Sequence, residues 1–208
     1  MSFLLSFLFV LIAAAVVVFK TKAGLWTIII SLVNVVTAAL VATNLFEPIA
    51  DFLTKNAPSA TYLWDLIALW GVFAAAYAVM KAVTDRVSRF RVKLPKTVEM
   101  LGSMLLLTVM AWVVICFTAF SLHMAPLARN FMGGGFEPEK PVFFSVLYPD
   151  RLWLGFMQGQ SLGGLGRSGT EQNPELHVFD PQSEFMIKYA ARREKFESFR
   201  SMFVDRGQ

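Results

Sequence analysis

The residues able to do chemistry in this chain are few. It has two histidines, His123 and His177, and one cysteine, Cys116. Cys116 lies inside an apolar run, so neither an intrachain disulfide nor a cysteine-based metal site is available, and it reads as a small packed or lipid-facing residue. His123 closes an apolar segment as a polar tip, and His177 sits in a loop before Phe179 and Asp180. Neither belongs to an H-E-x-x-H pair, and no G-x-S-x-G elbow or paired membrane aspartates occur. The residue types therefore predict a protein that is not an enzyme and carries no catalytic, cofactor or metal residues.

One glycine motif calls for a test. Gly164-Leu165-Gly166-Arg167-Ser168-Gly169 spells G-x-G-x-x-G, whose glycines bring backbone against a pyrophosphate when a strand precedes and a helix follows. Here glycine-rich and polar coil flanks it, so a flexible linker is expected and no nucleotide partner. No Gly-Lys-Ser/Thr phosphate loop is present either.

The polar side chains with positional meaning lie in the apolar half. Ser31, Asn34, Thr37 and Asn44 recur at helical steps on one face, and Ala68, Gly71, Ala75 and Ala78 make a stripe of small residues further on. Helices in lipid associate by close backbone approach and hydrogen bonds. The two stripes thus predict an interface between the second and third apolar segments. The alternative is that Asn34 and Asn44 line a solute path in a small transporter or channel subunit. Mid-membrane charge, which such proteins usually carry, is missing: Asp65, Lys81 and Glu99 all sit within about a turn of a segment boundary. Lys81 can snorkel, with Asp85 as its i,i+4 partner.

The elements that position these residues follow from composition. Hydrophobic residues make up 56% of the 208 positions and charged ones only 16%. Nine Lys/Arg and five Asp/Glu precede His123, and ten of each follow it. The neutral tail offers no basic face for nucleic acid, and the excess charge belongs to the short loops of the apolar half. A helix needs about 20 apolar residues to cross a bilayer, which predicts four transmembrane helices at about 2–19, 23–46, 62–83 and 98–122. The first lacks a basic leader, and Val16-Val17-Val18-Phe19 follows its small residues, so it reads as an uncleaved span. The expected fold is an all-α membrane protein with a transmembrane domain over 1–123 and an extramembrane tail over 124–208.

Loop charge sets orientation. Lys20 and Lys22 lie in the first loop, and Arg86, Arg89, Arg91, Lys93 and Lys96 in the third. These loops share a side, which the positive-inside rule makes cytoplasmic. Both termini are then extracytoplasmic, in a bacterium on the periplasmic side of the inner membrane.

In the tail, Met132-Gly133-Gly134-Gly135 with Pro138 and Pro141 reads as a flexible outlet, and Asp150 as the cap of a short helix over 151–157 suited to a membrane surface or to the bundle end. Asp180 with Pro181 is expected to open an amphipathic helix at about 181–204. Its Phe185, Tyr189, Phe196, Phe199 and Phe203 form an aromatic face that must cover the membrane, the bundle or a partner. The partners implied are the lipid bilayer and other membrane proteins or further copies of the chain.

This order of features resembles the CvpA family, the colicin V production proteins, over about residues 1 to 125. Lys22-Ala23-Gly24-Leu25 is like the start of that family's second span, and Phe46-Glu47-Pro48-Ile49-Ala50-Asp51-Phe52-Leu53 is like the segment after it. The third span with its basic exit and Gly102 in the fourth also fit. Lys96-Thr97-Val98-Glu99 stands where the family often has an Asp-Arg pair, and Leu106 where a second glycine would fall. Tyr148-Pro149-Asp150-Arg151-Leu152-Trp153-Leu154-Gly155-Phe156 and Phe179-Asp180-Pro181 look like extensions of planctomycete members. The resemblance implies a non-enzymatic accessory role in toxin production or export and in envelope maintenance, and it brings no catalytic or cofactor residues.

Overall fold

The structure is a computed structural model that describes residues 3–58, 61–88, 95–127, 143–144, 146–162, 179–180 and 184–204. These residues form six helices and no strand: α1 (Phe3–Lys20), α2 (Leu25–Asn56), α3 (Thr61–Val87), α4 (Lys96–Met124), α5 (Pro149–Leu162) and α6 (Phe185–Val204). Three of them, α2, α3 and α4, are long and apolar enough to cross a membrane; α1 is the shorter apolar helix.

The first four helices run up and down as a bundle. Its core near the tail end joins Ala42 and Phe46 of α2 and Leu69 of α3 to Phe117 and Phe120 of α4. Leu5 and Phe9 of α1 pack on Ile115 and Ala119, while Val16 and Val17 reach Ile28 and Leu107 at the opposite end. The N-terminus of α1 and the C-terminus of α4 therefore share one end of the bundle. The 21–24 loop and the α3–α4 connection share the other: Trp26 Nε1 donates to Ser88 Oγ at 2.9 Å, and Gly24 lies beside Glu99. At Gly102 the approach is close enough that a Cβ would stand 3.0 Å from the Leu25 methyls. This glycine lets α4 cross α2 tightly at its start.

Boundaries differ from the sequence expectation by four residues or more at α2, α3, α5 and α6, most of all at α2. The second apolar segment does not end near residue 46: α2 continues through Pro48 to Asn56, 32 residues in all and about 48 Å at 1.5 Å per residue. Pro48 is exposed and removes only one ladder donor, whereas Phe46 and Ala50, four residues apart, stay buried on the inner face. The last helix begins at Phe185 rather than near 181. Asp180 still caps it, its two carboxylate oxygens accepting the backbone N–H groups of Glu184 (2.7 Å) and Phe185 (3.0 Å).

Asp150 is not the cap it was expected to be. It lies inside the first turn of α5 and is 2% exposed, because its carboxylate turns inward to α4. Trp153 and Met157, on the same face of α5, join the bundle core. The glycine-rich outlet, the Gly164–Gly169 motif, His177 and the basic residues Arg89, Arg91 and Lys93 lie outside the described residues.

Candidate functional site

Two polar assemblies stand at opposite ends of the bundle, separated by the aromatic and aliphatic core around Phe46, Leu69, Phe117 and Phe120. The first is at the tail end, where α5 and α6 fold back. Its carboxylates come from α3 and α5 and its cations from α6. Asp65, one turn into α3, is 7% exposed, and its Oδ2 accepts from Tyr189 Oη at 3.1 Å and from Arg192 Nη1. Arg192 also donates through Nη2 to the Thr61 carbonyl. Its guanidinium lies 5.6 Å from the Tyr62 ring centre and 5.9 Å from that of Tyr189, within cation–π range. Burial pushes the Tyr189 phenol well above its ordinary range, and the neighbouring Asp65 charge adds to the shift. The phenol is thus held neutral as a donor.

The next residue, Arg193, is 4% exposed and donates from Nη2 to the His123 carbonyl at 2.9 Å. The His123 ring meets Asp150 through Nε2 and Oδ2 at 2.9 Å, both side chains being buried. Trp153 Nε1 reaches Thr43 Oγ1 at 3.2 Å. Lys188 pairs with Glu47 on the extended part of α2 at 3.0 Å. Among the described residues, α2, α3 and α4 each have a polar contact with the two tail helices. The start of the tail also reaches α1: the Phe144 amide donates to Ser6 Oγ at 2.9 Å.

Of the aromatic face on α6, Phe185 and Tyr189 cover the bundle. Phe185 stacks on Phe120 with centroids 4.9 Å apart and on Tyr189 at 4.6 Å. The side chains of Phe196, Phe199 and Phe203 lie outside the described residues.

The second assembly sits at the basic-loop end, between the start of α2 and the end of α3. A recess of about 310 Å³ is lined there mainly by polar side chains, among them Lys20, Ser31, Asn34, Lys81 and Asp85. Lys20 Nζ donates to Ser31 Oγ at 3.0 Å, and Asn34 Nδ2 to Thr84 Oγ1 at 2.9 Å. Lys81 and Asp85 form the expected i,i+4 pair at 2.6 Å. Lys20, Lys22, Arg86 and Lys96 all belong to this end, and Lys22, Arg86 and Lys96 are exposed.

The expected interface is only partly built from the expected residues. α2 and α3 do pair closely and antiparallel, and Ser31 and Asn34 are buried with Thr37 half-buried. Asn44 is exposed, and its amide bonds its own helix at the Leu40 carbonyl (2.9 Å). On α3, Ala68 is buried, but Gly71, Ala75 and Ala78 face outward, and nothing lies within 4 Å of a Cβ built on Gly71. The inward face is instead Asp65, Leu69, Val72, Ala76, Met80 and Thr84, none of them exposed. It prevails because it carries Asp65 and Thr84, which find hydrogen-bonding partners, whereas small apolar residues facing outward leave nothing unsatisfied.

The tail-end clamp was missed in the sequence. Two signals pointed toward it: an aspartate one turn inside an apolar segment, and Arg192-Arg193 set among the aromatics of an amphipathic helix. No protein-family model, curated protein or solved structure matches this chain.

Proposed function

We propose that the chain is a non-enzymatic accessory protein of the bacterial inner membrane, of the CvpA type, that works by assembling with other envelope components. In this reading α1 to α4 all span the bilayer, the basic loops face the cytoplasm, and the tail forms a fixed extracytoplasmic cap. The observation that carries it is the tail-end clamp. Asp65, His123, Asp150, Tyr189, Arg192 and Arg193 hold α5 and α6 on the bundle, and the recess that His123, Tyr189, Arg192 and Arg193 line is only about 10 Å³. α1, at 18 residues, is within the length that crosses a bilayer. Its exposed Leu4, Phe7, Leu11 and Val18 suit lipid contact. A role in toxin production or export and in envelope maintenance is what the family resemblance adds.

The competing reading, a small transporter or channel subunit, has the recess at Asn34 in its favour. A solute leaving that recess would meet the packed Phe46, Phe117 and Phe120 layer before the other end.

The test has two arms. In a Cys116→Ala background, a membrane-impermeant maleimide applied to spheroplasts should label Gln208→Cys but not Lys22→Cys. The reverse pattern would sink the topology. In the second arm, native extraction of the full chain should recover it in a complex with other envelope proteins, lost on truncation after Arg129. Recovery as a lone chain in both forms would defeat the accessory reading, as would a solute flux abolished by Asn34→Leu in a protein that still folds.

A further inference from the structure

The polar recess at the basic-loop end has a neighbour that gives it a second half. An apolar groove of about 220 Å³ runs between α2, α3 and α4, lined by Val35, Ala39, Trp70, Phe73, Val114 and Phe117. Tyr77 belongs to the walls of both cavities, and Val35 of the groove follows Asn34 of the recess. Polar space thus passes into apolar space along the helix axes. A small polar solute would leave the groove empty, and an apolar one would leave the net positive charge of the recess unmatched. Only an amphiphile fits both.

We propose that this composite cavity holds an anionic phospholipid, its phosphodiester at Lys20 and Lys81 and one acyl chain in the groove. The inference rests on the reading that α2 and α3 cross a bilayer. Lys20, Lys81 and Asp85 leave the recess one net positive charge, which matches a single phosphodiester. Trp26, whose indole bonds Ser88 at the rim, is about 12 Å along α2 from Asn34 at 1.5 Å per residue. That distance suits a site running from the headgroup zone into the hydrocarbon, with a tryptophan where headgroups begin.

Asn34 sharpens the headgroup class. Thr84 spends its hydroxyl hydrogen on the Lys81 carbonyl at 3.1 Å, so its oxygen must accept from Asn34, which fixes the amide nitrogen toward Thr84. Oδ1 then faces away and is buried without a hydrogen-bond partner among the described residues. A buried acceptor left so is destabilising. A hydroxylated headgroup, or a water carried with it, supplies the missing donor. A choline headgroup has no donor and brings a second cation. Phosphatidylglycerol has both the charge and the hydroxyls.

Native mass spectrometry of the full-length protein in mild detergent reads this directly. Titrated with phosphatidylglycerol, phosphatidylcholine and glycerol 3-phosphate in separate arms, the protein should retain one phosphatidylglycerol per chain, with phosphatidylcholine about tenfold or more weaker. Glycerol 3-phosphate should not be retained; equal binding of it would assign the recess to a free phosphate ester and overturn the lipid. Lys20→Gln with Lys81→Gln, at the cavity margin, should weaken phosphatidylglycerol about tenfold or more, since it removes the charge-assisted hydrogen bonds to the phosphodiester. Val35→Phe, which fills the groove and spares the lysines, should weaken it too. Unchanged retention in both variants, or equal binding of the two lipids, refutes the proposal. Should the chain resist alkaline extraction from phosphatidylcholine vesicles yet fail to select phosphatidylglycerol, the lipid inference fails alone and the spanning reading stands.

Discussion

Asp65→Ala should release the terminal helix from the bundle, read as faster tryptic cleavage at Arg193 with α1 to α4 still folded. Asp65 Oδ2 takes both the Arg192 guanidinium and the Tyr189 hydroxyl, so one truncation removes two contacts and strands a cation against an apolar helix end. Breaking a fully buried pair costs about 3–5 kcal/mol. The Arg192 side chain is 27% and that of Asp65 10% exposed, so water relieves part of this and about 2 kcal/mol is expected. At 1.36 kcal/mol per decade that is roughly a 30-fold rise in the open population, and cleavage follows that population when reclosing is fast. Arg192→Ala in the same background should add less than it does alone, because the two residues act as one contact. A cleavage rate unchanged by Asp65→Ala would show that the apolar stack of Phe185 on Phe120 holds the helix by itself.

The same contact carries a pH dependence whose sign follows from Tyr189. Its docked phenol is held above the ordinary range by burial and by Asp65, so ionisation is easier when the helix is free. Below about pH 10 the phenol is protonated in both states and the docking contribution is intact. As pH rises past that value the free state gains by ionising and docking weakens. Tyr189→Phe should lose about 1 kcal/mol at neutral pH and flatten the alkaline part of the cleavage profile.

How much of this was legible beforehand depended on whether a feature was local. The apolar runs marked helices α1 to α4, since twenty apolar residues in a row leave little else for the backbone to do. Lys81–Asp85 and the Asp180 cap were legible because both partners lie within one turn or one cap motif. The extension of α2 was hidden by Glu47-Pro48, which reads as a stop. Whether a proline ends a helix depends on the side it faces, and that is set by the tail packed on Phe46 and Ala50. The stripe at Gly71, Ala75 and Ala78 misled because Ala74-Ala75-Ala76 makes small residues available on more than one face, and spacing alone does not choose between them. The clamp pairs residues 27 and 127 positions apart, His123 with Asp150 and Arg192 with Asp65. No periodicity connects such pairs. The burial of Asp65 was not legible either, because the sequence places it within about a turn of a segment boundary, where water can reach a carboxylate.

His123→Leu should be strongly destabilising, and Asp150→Leu added to it should repair much of the loss. Alone, His123→Leu leaves the Asp150 carboxylate, 2% exposed and already lacking a partner for Oδ1 among the described residues, without the ring that meets Oδ2. An uncompensated buried charge of this kind costs about 3–5 kcal/mol, a large part of the stability of a small domain. Replacing both partners by apolar side chains removes the desolvation penalty with the contact, and such exchanges are often close to neutral. The order expected in thermal unfolding of detergent-solubilised protein is therefore wild type, double variant, single variant. An additive loss in the double variant would mean that the pair does more than satisfy itself, for instance by orienting the His123 carbonyl for Arg193. The double variant also separates two kinds of function. If the pair is there to fix α5 on α4, a refolded His123→Leu/Asp150→Leu chain should still enter the envelope complex proposed above. Were the imidazole and carboxylate needed for chemistry, that chain would fold, assemble and be inactive, and the non-enzymatic reading would fall.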